Sequence, residues 1–555
     1  MCAALSFVAS VSRVADGQRV PGVGEDATVL PRGAFRISAM GAWSTYNELY
    51  GPGGKLEALG APFSSDSLGA AQLEFLRPLQ TTIRSLAQLP TANVSLGAAR
   101  TDFSARIARS AITFDVGLTS RIMLTGKLPY EHTISEVVFD VNPRNEPGSL
   151  ANVGINPALA TGAAASATNL KLVDSVLRAM TELTARLGAC GAGAADPVCA
   201  NQQAVQTLIQ QARTFASGIA TTYGTGADTT PGSAFVPLIK STLQTAIEAR
   251  VAALNASFKT YIPALSAWDK PVPALAPITA DAATTLIGET LGIAPLGLVE
   301  RSHIGDVEVG AKVLLFDSFG SPAASRASRV GGFRFAVGGL VRLGTGQAER
   351  PDDIFDVGTG DGQTDIEANG TADLIVGKRF WASVSGRYGV QMSDEKPFRI
   401  PDVARNPFLA QYREQTVTRD LGDYIELEAA PRYVYNDYFS VSAQWVYRRK
   451  GEDKYTGTFT VTDLDSNSVT VDAGILGVGT DATEQRIGGG LSYSTLRAFD
   501  RGRASIPLDI QLLHTQSISG SGYAPKRFLT QVQLRYYTRL FGAPLRSTRP
   551  ATAPR

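Results

Sequence analysis

The chain has 555 residues, with 52 Lys+Arg against 51 Asp+Glu, 44% apolar residues and only 19% charged ones. That balance excludes a disordered chain, and a net charge of +1 gives no electrostatic reason to expect nucleic acid as a partner. No run nears about 18 consecutive apolar residues, which excludes a membrane-spanning helix; a spanning barrel, whose alternating strands average to a mean hydropathy near zero, stays open.

Residues 1–32 open with MCAALSFVASVSRVADGQ, a short apolar stretch without a basic start. It reads as the remnant of a signal peptide or as an ordinary N-terminus. Beyond it, apolar and polar residues alternate with period two through twelve segments. These are 33–45, 103–118, 121–132, 304–317, 331–343, 364–377, 380–390, 423–435, 438–449, 484–497, 504–516 and 527–541. In the last, Phe528, Val532, Leu534 and Tyr536 share one face while Gln531, Gln533, Arg535 and Arg539 share the other. Several segments are long enough to cross a bilayer obliquely, which takes about 9–11 residues. Aromatic residues such as Tyr433, Tyr435, Phe439, Phe528 and Tyr536 gather near their ends, as interfacial girdles require.

The connections are expected to alternate short and long. Short links fall at Thr119–Ser120, Lys378–Arg379, Asn436–Asp437 and 498–503, with a longer one at 318–330; long ones fall at 46–102, 133–303, 344–363, 391–422, 450–483 and 517–526. Outer-membrane barrels sort their connections in this way, with short periplasmic turns and longer external loops, which places both termini in the periplasm. The expected domains are an N-terminal segment 1–32, barrel strands within 33–132 and 304–541, an external insertion 133–303 and a tail 542–555.

The insertion carries helical spacing instead, at 168–187, 203–223 and 235–261, and a further helix is expected at 68–88. Its stripes fit a small self-packed bundle first, and compatibly an external platform that binds a partner or gates the barrel mouth. Cys190 and Cys199 close a short loop between the first two helices; they form a disulfide in an oxidising compartment or remain two thiols.

The polar faces of the strands name the candidate lumen residues: Asp306, Glu308, Lys312, Arg334, Arg342, Asp365, Glu367, Asp373, Arg387, Glu426, Glu428, Arg432, Arg448, Arg486, Asp509, Arg535 and Arg539. Both signs are present, so they read as a self-paired network filling the barrel or as a polar path lined by ion pairs. The loop from Asp356 to Glu367, DVGTGDGQTDIE, reads as an acidic loop or a Ca²⁺ ligand set without EF-hand order. Three dispersed histidines (His132, His303, His514) and the absence of GxSxG or HExxH give no catalytic, metal or cofactor site.

Four stretches in order carry a resemblance: ITFDVGLTSRIMLTGKLPY (112–130), HIGDVEVGAKVLLFDSF (303–319), VGGLVRLGTG (337–346) and GTGDGQTDIEANG (358–370). They resemble the outer-membrane transporter-like family labelled phenol degradation meta-pathway proteins, distantly similar to the long-chain fatty-acid transporters. The likeness spans about 112–130 and 303–541 and leaves the helical insertion outside it. It implies passive uptake of small hydrophobic or aromatic compounds, no enzyme activity, and residues 1–32 as a plug in the lumen.

The expectation is an all-β transmembrane antiparallel barrel of about twelve strands in a Gram-negative outer membrane, with a helical insertion in an external loop. Its partners are lipid and small apolar or aromatic solutes. The competing reading is a barrel-anchored surface or receptor protein whose insertion binds an extracellular partner.

Overall fold

The computed structural model describes residues 24–143, 150–160, 163–191, 196–225, 232–318, 331–377, 379–464, 467–500 and 502–540. The tail 542–555, most of the 318–330 link and the first 23 residues of the N-terminal segment lie outside them.

Twelve strands form one closed antiparallel transmembrane barrel: β1 Ala34–Tyr46, β2 Ala99–Gly117, β3 Ile122–Val141, β4 Val307–Asp317, β5 Gly331–Leu343, β6 Asp365–Val376, β7 Phe380–Gln391, β8 Tyr424–Val434, β9 Phe439–Lys450, β10 Ala482–Ser494, β11 Leu508–Ser521 and β12 Phe528–Arg539. Each strand pairs with its sequence neighbours, and β12 closes on β1 from Ala34↔Arg539 to Thr45↔Phe528. Closure leaves no unpaired edge, which lipid requires because it offers no water to orphan amides. A thirteenth strand, Val299–Ile304, extends the sheet by pairing with the upper part of β3.

The period-two pattern becomes two chemically opposite surfaces. Outward positions leave large apolar side chains uncovered, among them Phe114, Leu124, Phe333, Val384 (54% exposed), Leu427, Leu491 (59%) and Val532. A continuous apolar exterior of this extent is stable only against hydrocarbon. The alternate positions are polar and mostly buried, as with Asp115, Asp373, Arg432 and Asp509.

Both described termini lie at the end closed by the links 118–121, 318–330, 377–379, 435–438 and 495–507. At 435–438, Asn436 Oδ1 accepts the amides of Tyr438 and Phe439 at 2.8 Å each, and at 377 the turn takes a glycine at φ +65°. The expected strict alternation of connection length fails over the last pair of links. β11 runs on to Ser521, past the expected end at 516, so the link at the opposite end shrinks to 522–527. The link 495–507 at the turn end is the longer of the two and contains a short helix, Leu496–Asp500. The small polar run QSISGS keeps the strand paired with β10 through a register shift beside Arg486.

At the loop end, β2 and β3 continue beyond their neighbours and enter a cap built by the long connections. The longer helices of the cap are α1 Arg77–Ala87, α2 Ala163–Gly188, α3 Gln202–Tyr223, α4 Thr242–Tyr261 and α5 Ala280–Leu291. Leu172, Val176 and Leu183 of α2 pack with Val205, Phe215 and Ile219 of α3 and with Val251, Leu254 and Phe258 of α4. The segment expected to start α4 instead forms a short strand, Phe235–Pro237, paired with Val153–Ile155; Ser241 then caps the helix by accepting the Gln244 amide. Cys190 and Cys199 are joined by a disulfide that ties the end of α2 to the start of the α3 turn.

A second core unites four connections with the upper ends of β2 and β3. Leu76 and Ile83 meet Val137, Phe139, Ile287, Leu291, Phe355 and Phe408 there. Two buried arginines join the same loops by hydrogen bonds. Arg413 pairs with Glu74 and Asp402 and donates to Ile400 O, while Arg399 donates to Leu291 O and Gly292 O, the carbonyls at the end of α5.

Candidate functional site

Inside the barrel, the loop-end half holds a cavity of about 260 Å³. It is lined by Arg109, Lys127, Glu131, Asp306, Glu308, Arg342, Asp361, Glu367, Arg387, Tyr424, Glu426 and Arg448, together with Pro129 and Gly360. Most of these charges are matched around the wall. Arg109 meets Glu131 at 2.6 Å, Lys127 meets Glu308 at 3.1 Å, and Arg342 bridges Glu308 at 3.4 Å and Asp365 at 2.7 Å. Tyr424 donates to Glu367 at 2.7 Å. Arg387 lies 3.5 Å from Glu426, which Arg486 approaches at 3.9 Å, and Gln444 donates to Glu428 at 2.9 Å.

The third long connection forms the outer side of this cavity. Arg301 pairs with Asp356, Thr133 donates to Val357 O, and Arg419 holds both Asp361 O and Asp394. The acidic loop from Asp356 to Glu367 is therefore spread among separate partners. Asp356 goes to Arg301 and Arg350, Asp361 to Gln391, Asp365 to Arg342 and Glu367 to Tyr424. Among the described residues no three His, Cys, Asp or Glu side chains come together as a metal site.

The turn-end half is filled from below by residues 24–33, which lie within the barrel. Lys312 donates to Asp26 O at 3.0 Å, and Asp373 accepts the Ala27 amide at 3.1 Å and the Ser383 hydroxyl at 2.9 Å. Asp26 also carries the attraction of Arg432 and Arg535 from across the lumen. Glu25 reaches Thr371 at 3.4 Å and Arg387 at 3.7 Å, so this segment touches the upper ring of charge as well. Gly24 is wedged against β8: a Cβ there would lie 2.1 Å from Glu428 Oε1, and its φ of +91° suits glycine alone. Val29 and Leu30 pack on Ala34, Met123, Leu496 and Tyr537, which seats the segment at the turn end.

The remaining candidates fall on the same inner surface. Arg334 lies 3.6 Å from Asp317, and Asp509 accepts from Ser494 at 2.5 Å and Tyr537 at 2.6 Å. Arg535 donates to Gln533 at 2.8 Å, Arg486 lies 4.0 Å from Glu484, and Arg448 covers the Tyr424 ring at 4.5 Å. Arg539 ends β12 opposite Ala34 at the turn end. Reading the strands alone missed Arg36–Asp115 (2.7 Å), Arg109–Glu131 and the contacts of Glu25 and Asp26. The alternation within 33–45 and 103–118 already placed Arg36, Arg109 and Asp115 on polar faces; the resemblance implied a plug somewhere in 1–32, but no residue pattern singled out 24–27 within it.

Outside the lumen, His132 Nδ1 lies 2.7 Å from Ser302 Oγ, and its Nε2 lies 3.6 Å from Glu300. The residue types suit a nucleophile, base and acid. The acid, however, is beyond hydrogen-bond reach, and the trio stands on an exposed ladder that excludes no water, so this geometry makes no catalytic site.

No family model matches the chain, and no curated protein matches it. Among solved structures, an outer membrane channel from Pseudomonas putida F1 aligns over 94% of this chain and 100% of its own at 9% identity and a TM-score of 0.39. The transport unit of the autotransporter AIDA-I from Escherichia coli aligns over 91% and 90% at 7% identity and a TM-score of 0.28. The CymD monoaromatic hydrocarbon channel aligns over 91% and 89% at 6% identity and a TM-score of 0.24. At these values the likenesses carry no argument about what passes through or binds to this chain.

Proposed function

We propose that the chain is an outer-membrane channel through which small solutes, aromatic ones among them, diffuse without energy input. The observation that carries this reading is the pairing of an apolar exterior with a charge-lined cavity inside a closed barrel. An anchor needs the first surface only. A lumen that served merely as filler would be expected to close on its ion pairs, whereas this one keeps a cavity of about 260 Å³ among them. The motif resemblance over 112–130 and 303–370 supports aromatic or hydrophobic cargo. Residues 24–33 act in this reading as a plug whose displacement opens the turn end, and the caps and termini orient the long loops outward.

The test is solute flux into liposomes carrying the full-length protein, using graded sugars and small aromatics. Uptake that falls with solute size and favours aromatics is the expected result. A folded, heat-modifiable barrel that passes neither solute class would overturn the proposal.

A further inference from the structure

In the turn-end half of the lumen the wall carries a surplus of positive charge. Arg36 pairs with Asp115 at 2.7 Å and Arg334 lies 3.6 Å from Asp317, so these four cancel. The other charges there are Lys312, Arg432 and Arg535 against Asp373 and Asp509, three cations to two carboxylates. Arg539, at the rim, adds to the surplus. Both carboxylates rest on neutral donors: Asp373 on the Ser383 hydroxyl and the Ala27 amide, Asp509 on Ser494 and Tyr537. The cavity above has the opposite balance, with six carboxylates to five cations. An anion therefore finds its counter-charge only in the lower ring.

Asp26 supplies the missing carboxylate. Residues 24–30 carry two acids into the barrel. Glu25 lies 3.7 Å from Arg387 in the upper ring, while Asp26 is drawn by Lys312 first and then by Arg432 and Arg535. Lys312 Nζ donates to Asp26 O at 3.0 Å, which brings the ammonium to this residue. The Thr28 amide and hydroxyl both donate to Asp26 Oδ1, so the turn of the segment itself presents the side chain. Arg535 donates to Gln533 at 2.8 Å, and its buried Nε–H has no hydrogen-bond partner among the described residues. Enclosing three cations with two acids leaves one charge uncompensated, and the chain's own Asp26 meets that need.

We infer that the lower ring is a seat for one small carboxylate, which Asp26 occupies while the barrel is plugged. This rests on reading residues 24–33 as a plug and deepens it: the plug is an intramolecular ligand, held by the charge that it neutralises. A carboxylate reaching the ring from the turn end competes for the same cations, because ammonium and guanidinium donors take a free carboxylate as they take a side chain. The tethered Asp26 holds the advantage through its high local concentration. Exchange of Asp26 for a solute anion weakens the hold of β4, β8 and β12 on the segment. The bond from Ala27 to Asp373 and the Glu25 contacts then remain as its polar holds.

The experiment uses full-length protein in detergent, with sodium acetate and acetamide as probes of like shape and different charge. Asp26→Ala vacates the space of a single acetate. Calorimetry is expected to show acetate binding about tenfold tighter to Asp26→Ala than to the native chain, with no gain for acetamide. Adding Lys312→Gln is expected to remove the gain, and Asp26→Glu, which keeps the carboxylate, to bind acetate as weakly as the native chain. Hydrogen exchange across 24–33 is expected to rise in Asp26→Ala and to fall again with acetate but not with acetamide. Lys312→Gln alone is expected to speed the same exchange, which tests the seat from its other side. Equal acetate affinity in the native chain and Asp26→Ala, or acetamide acting as acetate does, would overturn the seat. Faster exchange without acetate binding would overturn the seat and leave the plug standing. Tight acetate binding by an Asp26→Ala barrel that conducts like the native one would keep the seat and overturn the plug.

Discussion

Ala27 and Asp373 are 346 residues apart in the chain, and the Ala27 amide donates to Asp373 Oδ2 at 3.1 Å. The bond fastens the N-terminal segment to β6 in the turn-end half of the barrel, where Lys312 also holds Asp26 O. A segment that only trailed from the first strand would have no reason to meet four separate strands. Its contacts reach β4, β6, β7 and β8 within four residues of chain.

Gly24 offers a way to lift this segment without touching the strands. Gly24→Val places a branched side chain against Glu428 and Ala430 in a backbone conformation such residues avoid, at a cost of about 1–3 kcal/mol. The expected outcome is faster proteolytic cleavage within residues 24–33, with the heat-modifiable mobility of the barrel unchanged. Protection equal to that of the native chain would show that the seat tolerates the change.

Arg413 should hold the cap together from inside. It is buried between Glu74 of the first long connection and Asp402 of the fourth. Arg413→Ala leaves Glu74 without its cation, a loss of about 3–5 kcal/mol for a broken buried pair. Hydrogen exchange is expected to rise across 68–88 and 400–413 and to stay slow in β5–β9.

The same cluster gives the cap a pH dependence. Burial alone would raise the Asp402 carboxyl, but hydrogen bonds and charge from Arg413 and Arg77 outweigh it and hold it below its ordinary value of 3.8. A depressed carboxylate contributes stability above the unfolded value and loses it as pH falls through the folded one. Exchange in the cap is therefore expected to accelerate below about pH 4, and Asp402→Asn to remove that part of the acid response.

The disulfide closes a loop of nine residues' separation beside the Arg186–Asp196 pair. Replacing Cys190 and Cys199 by Ser should lower the stability of the α2–α4 bundle by about 2–3 kcal/mol through the freed unfolded loop. Thermal melting of the bundle's helical signal, compared between native and substituted protein, checks the value; an unchanged midpoint would deny the bond a stabilising role.

The lipid-facing surface predicts a sharp contrast within one strand. Val384→Arg on the outward face of β7 is expected to cost about 2–4 kcal/mol if it lies near the bilayer midplane. Urea titration of refolding into vesicles measures this, and a cost near zero would place that position outside the hydrocarbon.

How much of this was legible follows from what each element depends on. β12 could be read residue by residue because one face meets lipid and the other meets polar partners, which writes period two into the sequence. The bundle helices were legible for the matching reason, with stripes such as Val205, Leu208, Ala212, Phe215 and Ile219 facing a shared core. α5 was not, since its short ADAATTLIGETL buries Ala283, Ile287 and Leu291 only because β3 and the other loops meet it. The end of β11 was missed because SISGS has no alternation to follow, although pairing with β10 continues. The candidate site divides in the same way: strand periodicity placed Glu308, Arg342, Glu426 and Arg448, whereas the seat of Asp26 depends on contacts with chain hundreds of residues away.

The most direct measurement is single-channel conductance in planar bilayers, comparing the full-length protein with an Asp26→Ala, Asp373→Ala double variant. If residues 24–33 plug a charge-lined channel, the native protein gives small steps and the double variant gives larger ones with the same barrel fold. Equal steps in the two proteins would contradict the plug, and no steps from either folded barrel would contradict the channel.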